Sequence, residues 1–440
     1  MSDTPERPAP RAVPAHRLGR LARLGSLGLG VAGAMALGGA GQLLRGQRPS
    51  GRDLLLTPGN IGRITDELAR MRGAAMKVGQ MISMDAGDVL PPELARIMAR
   101  LRAEADIMPP RQLKSVLEAA WGPGWLSGFA RFDPRPVAAA SIGQVHRAVL
   151  TDGRDVAIKV QYPGIARSID SDVANVGALI RMSGLVPKGL DLAPLLDEAR
   201  LQLHEETDYR AEAAHLEQFR TLLADDPRFA LPQPVDALTT AGVLCMTWLD
   251  GPRIETLQTA PQTLRDRIAK DLIDLFLAEL FRFGLVQSDP NFANYLYLPD
   301  NDRIGLLDFG ATRRIDPSIA ACYRDLLRAG LTGDPLSMEA AARALGLLDD
   351  SLWPDHRTRL LAMMQDAFTL LRAETVDFTD RSLARRMQEQ GLALAEDGFA
   401  PPPPPADVLF VQRKIGGLYL LAARLGARVK LRALLAPWLD

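Results

Sequence analysis

The chain has 440 residues, 47% hydrophobic and 24% charged, with 52 basic and 53 acidic side chains. That is enough for two or three globular domains, and it lacks the basic excess of a nucleic-acid binder. Cys245 and Cys322 are too few and too far apart for a disulfide framework or zinc site, and the histidines show no metal-ligand spacing, so a reducing compartment is the default.

Residues 1–50 form a first region, a basic tail followed by an uncharged stretch. Residues 24–44 (LGSLGLGVAGAMALGGAGQLL) are long enough to span a bilayer as a helix, but Gly and Ala supply little transfer free energy. Small residues recur four apart at Gly30, Ala34 and Gly38, and at Gly28, Ala32, Ala36 and Ala40, a spacing that lets membrane helices approach closely. A flexible tether is the alternative. Arginines on both flanks (Arg17, Arg20, Arg23; Arg45, Arg48, Arg52) give no orientation. A transit peptide fits the arginines but not Asp3 and Glu6.

Residues 51–125 read as a helical extension. Ile64, Leu68, Met71, Ala75, Val78 and Ile82 follow the helical period until Pro91 and Pro92 end it. Embedded there is Lys77-Val78-Gly79-Gln80. Gly79 costs a helix about 1 kcal/mol against Ala, which points to a close backbone neighbour, and Lys77 and Gln80 share a face.

Residues 126–250 read as a nucleotide-binding β-lobe. VHRAVL (145–150) and DVAIKV (155–160) are strand-like and joined through Asp152-Gly153, a hairpin signal that places Lys159 on the second strand. A kinase carries its phosphate-gripping lysine there. Where a kinase has its Gly-rich loop stands Ala138-Ala139-Ala140-Ser141-Ile142-Gly143-Gln144. Alanines restrict the backbone, while Ser141 and the backbone amides retain donors for phosphates. A helical stretch to about residue 223 follows, with Glu206 and Glu212 both candidates to hold Lys159. The gap from Lys159 implies inserted helices. GVLCMTWLDGP (242–252) reads as the last strand and hinge, Met246 to Leu249 facing an adenine.

Residues 251–440 carry the densest signal. Asp289 is followed five positions later by Asn294, which is followed fourteen positions later by Asp308, in QSDPNFANYL and IGLLDFGA. That is the spacing with which kinase-type sites hold Mg²⁺ and ATP. The Asp308 carboxylate and Asn294 amide oxygen suit Mg²⁺, a hard cation, leaving Asp289 to orient or deprotonate a nucleophile. Helices are expected from residue 313 on, interrupted by the prolines from Pro401 to Pro405. The last apolar segment either packs on this lobe or lies on a membrane surface.

Together Lys-x-Gly-Gln, AAASIGQVHRA, VAIKVQYPG, ETDYRAEA, SDPNFAN and LLDFGA resemble the UbiB family of atypical kinase-like proteins, over roughly residues 60–320. The resemblance implies an α+β, bilobal protein-kinase-like fold with an N-terminal helical extension and inserted helices in the small lobe. It also implies that Lys77 points into the site and pairs with Glu206 and Asp208 while Glu212 pairs with Lys159, although Glu206 stays open as the partner of Lys159. With a lysine helix over the site and no Ala-Pro-Glu segment after Asp308, protein phosphorylation is disfavoured; Ser288 precedes Asp289 where a protein kinase has Arg, so regulation by activation-loop phosphorylation is not expected. The expected function is ATP binding and hydrolysis with Mg²⁺ in support of ubiquinone biosynthesis; the alternatives are a small-molecule or lipid phosphotransferase and a nucleotide-binding scaffold for biosynthetic enzymes. Expected partners are ATP/ADP, phenolic isoprenoid lipid precursors, ubiquinone-biosynthesis enzymes and a membrane surface; a second copy of the chain is a candidate. The catalytic domain would then lie in a bacterial cytoplasm or a mitochondrial matrix, associated with the membrane.

Overall fold

The computed structural model describes residues 73–75, 77–79, 107–140, 142–182, 192–289, 291–399 and 404–439. The stretch 24–44, most of the 61–82 helix, Gln80, Pro91, Pro92, Ser141 and the prolines 401–403 lie outside the described residues. Among the described residues no helix is long and apolar enough to cross a membrane. The chain divides into two compact units, one comprising residues to Ala213 with Gln233–Trp248, the other Ala214–Pro232 with Leu249–Asp440.

The first unit is built on a five-stranded antiparallel sheet. Its path is β1 (Phe129–Phe132), β3 (Gly143–Leu150), β4 (Asp155–Gln161) and β6 (Val243–Thr247), with β2 (Ala138–Ala140) added to β3. Val156, Ile158 and Val160 on one face are fully buried, and Ala157 and Lys159 on the other are less than one-tenth exposed, as expected of a central strand covered on both faces. The alanines differ from their sequence reading: they form a strand, with Ala138 opposite Val145 and Ala140 opposite Gly143. Alanine has weak strand preference of its own, so the ladder to β3 supplies it.

Gly143 is required by packing, because a Cβ there would lie 2.3 Å from the Val160 carbonyl oxygen. Gln144 accepts from the Met108 backbone at 2.9 Å and contacts His146 Nε2 at 2.8 Å, while His146 Nδ1 meets the Asp133 carbonyl at 2.9 Å. Burial pushes the His146 pKa down, consistent with a neutral ring that donates at Nδ1 and accepts at Nε2. At the sheet edge, helix α1 (Pro110–Trp121) brings Trp121 against Trp125 and Phe129. After β4 come the inserted helices α2 (Ile165–Met182) and α3 (Ala193–Glu205), then α4 (Tyr209–Leu222), whose first turn belongs to this unit and whose remainder belongs to the second.

In the second unit, helix α5 (Gln262–Ala278) runs into a π-helical turn, Glu279–Phe283, and Gly284, at φ 60°, ends it in the left-handed conformation that glycine adopts freely. The chain then enters β7 (Leu285–Gln287), paired with β10 (Thr312–Arg314). Between them lies the hairpin of β8 (Tyr295–Leu298) and β9 (Arg303–Leu306), extended by a parallel pairing of β9 with β5 (Phe229–Ala230). Helices α6 (Pro317–Thr332), α7 (Pro335–Ala344), α8 (Pro354–Ala367), α9 (Ser382–Glu396), α10 (Ala406–Leu425) and α11 (Leu431–Leu439) follow. The all-helical expectation past residue 313 misses the small pair β11 (Val376–Asp377) with β12 (Arg428–Val429). The last segment packs within its own unit: α10 lies on α5 and buries Val411, Leu418, Leu421 and Leu425 at helical spacing.

Candidate functional site

Each unit contains one set of the side chains singled out in the sequence. In the first, Lys159 lies on the central strand β4 with its Nζ 2.9 Å and 3.0 Å from the two carboxylate oxygens of Glu212. Helical spacing accounts for the partner, since Tyr209, Glu212, Leu216 and Phe219 recur three or four apart and are all buried. The Tyr209 ring lies 5.0 Å from Lys159 Nζ and gives the ammonium a second favourable neighbour. Of the two glutamates, Glu212 is therefore the one that holds Lys159.

Glu206 has a different partner. It follows α3 and accepts from Lys77 Nζ at 2.6 Å, both side chains being less than one-tenth exposed. Lys77 and Gly79 sit in helical backbone. The Glu206 turn is fixed by Gln161, whose amide donates to the Thr207 carbonyl at 2.8 Å. Asp208, expected beside Lys77, is instead exposed and accepts from the Arg210 backbone at 3.0 Å, turning the chain into α4. An aspartate at that position satisfies a helix-start amide, which competes with reaching a buried lysine. Met246, on β6 opposite Ala157, is buried.

In the second unit the backbone does the positioning. Tyr295 on β8 is opposite Leu306 on β9, and the Leu307 amide donates to the Asn294 carbonyl at 3.0 Å. Asn294 and Asp308 therefore emerge at the same end of one hairpin, and two four-residue strands with their turn account for the fourteen-residue spacing. Asn294 Nδ2 donates to the Asp289 carbonyl at 3.4 Å, and Asp289 Oδ1 accepts from Asn291 N at 3.3 Å. Asp308 Oδ1 accepts from Gly310 N at 3.0 Å.

Ser288 is fully buried; its hydroxyl and amide both donate to the Ala311 carbonyl, at 2.8 Å and 2.9 Å. This serine ties the Asp289 loop to the Asp-Phe-Gly segment, a place too enclosed for the arginine of a protein kinase. Phe309 is buried against Phe219 of α4, ring centroids 4.9 Å apart. Burial lowers the pKa of His215 on that helix, and a hydrogen bond to the Phe309 backbone only partly offsets this.

The donor set fits Mg²⁺. Carboxylate and amide oxygens are hard ligands, and among the described residues no cluster of three or more His, Cys, Asp or Glu could form an all-protein metal cage. A small cation that keeps waters and shares phosphate oxygens needs no such cage.

Four buried polar residues escaped the sequence reading. Glu279, Gln287, Tyr295 and Lys414 meet in the interior of the second unit. Lys414 lies in a largely apolar stretch with scattered cations, and only its place on the buried stripe with Val411 and Leu418 distinguishes it from a solvated charge.

A lysine–glutamate pair on a sheet-and-helix unit, and an Asp/Asn/Asp set held by a hairpin, define a kinase-like protein. The ABC1 atypical kinase-like domain matches residues 100–342. Over 422 residues the chain is 37% identical to the mitochondrial atypical kinase COQ8 of Saccharomyces cerevisiae, covering 95% of this chain and 84% of that protein. It is 37% identical to the mitochondrial atypical kinase COQ8B of Rattus norvegicus, covering 98% and 81%. Among solved structures, the Mycobacterium tuberculosis protein Rv3197 in complex with erythromycin superposes with a TM-score of 0.60 at 26% identity, covering 85% of this chain and 94% of that one. The chain belongs to the ABC1 (UbiB) family of atypical kinase-like proteins, and its α+β fold is kinase-like. It is an atypical kinase-like protein involved in ubiquinone biosynthesis.

Proposed function

We propose that the chain binds Mg-ATP and Mg-ADP and hydrolyses ATP in support of ubiquinone biosynthesis, acting at a membrane surface with phenolic isoprenoid lipid precursors and enzymes of that pathway. The observation that carries this reading is the buried Lys159–Glu212 pair on the central strand, both side chains less than one-tenth exposed. A buried ammonium, oriented by a carboxylate and an aromatic ring, is preorganised for the α and β phosphates.

Asn294 and Asp308 would hold the metal, which when bound neutralises charge on the phosphates. Asp289 orients the nucleophile, Met246 lines the adenine side, and Ala138, Ala139, Ala140 and Gly143, with Ser141, cover the phosphates by backbone. Water as acceptor fits the Lys77–Glu206 pair, which commits a lysine and a glutamate to each other where a protein kinase would accommodate a peptide. The mitochondrial relatives favour the matrix when the host cell has that organelle.

The test is phosphate release by the purified protein, with and without vesicles and a phenolic lipid precursor. Turnover that rises with both and vanishes in Asp308→Asn is the expected result. A stoichiometric phosphorylated small molecule would replace hydrolysis by phosphotransfer, and binding without turnover would leave a nucleotide-dependent scaffold. Lys77→Ala is expected to raise autophosphorylation, read by incorporated label.

A further inference from the structure

Helix α10 buries one cation. Lys414 Nζ donates to Gln287 Oε1 at 2.9 Å and to the Tyr295 hydroxyl at 3.0 Å, and lies 3.9 Å from Glu279 Oε2. All four side chains are no more than 5% exposed. An ammonium only donates, so the oxygen of Gln287 must face it.

The positions of these partners matter more than their number. Gln287 ends β7, two residues before Asp289, and Tyr295 opens β8, directly after Asn294. One ammonium thus reaches both ends of the segment 288–294, where the chain leaves one sheet and enters another. Glu279 stands in the π-helical turn leading into β7, and the Gln287 backbone hydrogen-bonds to its carboxylate. Holding a helix against these strands needs no charge, since methionine would fill a similar volume without the cost of desolvating an ammonium. The charge therefore calls for a reason beyond packing. Burial opposes it, yet Glu279, the Tyr295 oxygen and Asp289 together raise the Lys414 pKa, so the group stays protonated.

We infer that Lys414 is a positioning residue for the Asp289–Asn294 loop, a clamp from the C-terminal helix that fixes both ends of that loop through Gln287 and Tyr295. The inference rests on the ATPase reading for its catalytic consequence, not for its structural one. Without the clamp, nucleotide still binds, but Asp289 loses its setting, and misplacement on the ångström scale costs turnover about tenfold to a hundredfold.

Lys414→Met alone strands the Glu279 carboxylate and can unfold the protein. The decisive variant is therefore the double substitution Lys414→Met with Glu279→Gln, which removes both charges together. It is expected to keep a cooperative thermal transition and Mg-ADP affinity within about threefold, while kcat for ATP falls at least about tenfold with KM little changed. Amide exchange should accelerate in residues 285–298 and nowhere else. Unchanged kcat with unchanged exchange would overturn the inference. So would faster exchange throughout the second unit with weakened nucleotide binding, the mark of a merely structural pair. If the wild-type protein turns over no ATP, the ATPase reading fails by itself, and the exchange pattern still decides whether the clamp exists.

Discussion

In the first unit, Lys159 is paired with Glu212 and Lys77 with Glu206, four buried charges neutralised two by two. In the second, Asp289 and Asp308 are only half-buried, and their setting comes from backbone amides and the register of β8 against β9. Charges taken out of water must be matched locally, because the interior screens them poorly. Carboxylates meant for a cation can stay partly hydrated, and then geometry is the scarcer requirement. The first arrangement is thus vulnerable to losing one charge and the second to shifting a strand.

Glu212→Ala breaks this contrast hardest. Leaving Lys159 buried without its counter-ion should cost about 3 to 5 kcal/mol in urea denaturation and remove nucleotide-dependent thermal stabilisation. Gly143→Ala comes next, at about 1 to 3 kcal/mol, because the new methyl meets a strand carbonyl rather than a yielding side chain. Glu279 offers a pH test in the second unit. Burial raises its pKa from 4.5 to about 7, and the attraction of Lys414 only partly offsets this. The folded state then binds a proton that the unfolded chain has released, so this residue's contribution is complete below pH 4.5 and is lost as pH rises through about 7. Denaturation midpoints measured across that window should fall with pH in the wild type and flatten in Glu279→Gln.

Ser288→Ala removes one of two bonds to the Ala311 carbonyl and should cost about 1 kcal/mol. The smallest effect on stability belongs to Asp308→Asn, within about 0.5 kcal/mol, since an amide oxygen can still accept from Gly310. Its Mg²⁺-dependent thermal shift with ADP should nonetheless disappear. A large stability loss in Asp308→Asn would erase the distinction between the units.

Much of this was legible in the sequence where local rules act. Asp152-Gly153 announces the hairpin that places Lys159, and the five- and fourteen-residue spacings reflect a loop and a β-hairpin. Long-range pairings were harder to read. Whether Lys159 meets Glu206, at the end of α3, or Glu212, on α4, depends on how those two helices pack against β4, which adjacent motifs do not reveal. Ala138–Ala140 looked like loop because the strand that orders them lies outside their own composition. Residues 214–232 belong with the second unit because Phe219 and Phe229 pack there, a contact made with residues some 75 to 90 positions later. Lys414 was hidden because a single lysine in an apolar helix resembles a surface charge until the strands it bonds are known.

The β8–β9 hairpin has one more consequence. Asn294 and Asp308 are set at its open end, whereas Asp300, Asn301 and Asp302 form an exposed turn at the other. Asp302 adopts a positive φ of 55° there, and its carboxylate accepts from the Tyr297 hydroxyl at 2.8 Å, so the strands close before the tip. A short flexible peptide grafted between Asp300 and Asn301 would lengthen the chain between the two side chains without altering their separation. The tip is therefore the place to attach a fluorophore that reports on occupancy while leaving the chemistry undisturbed.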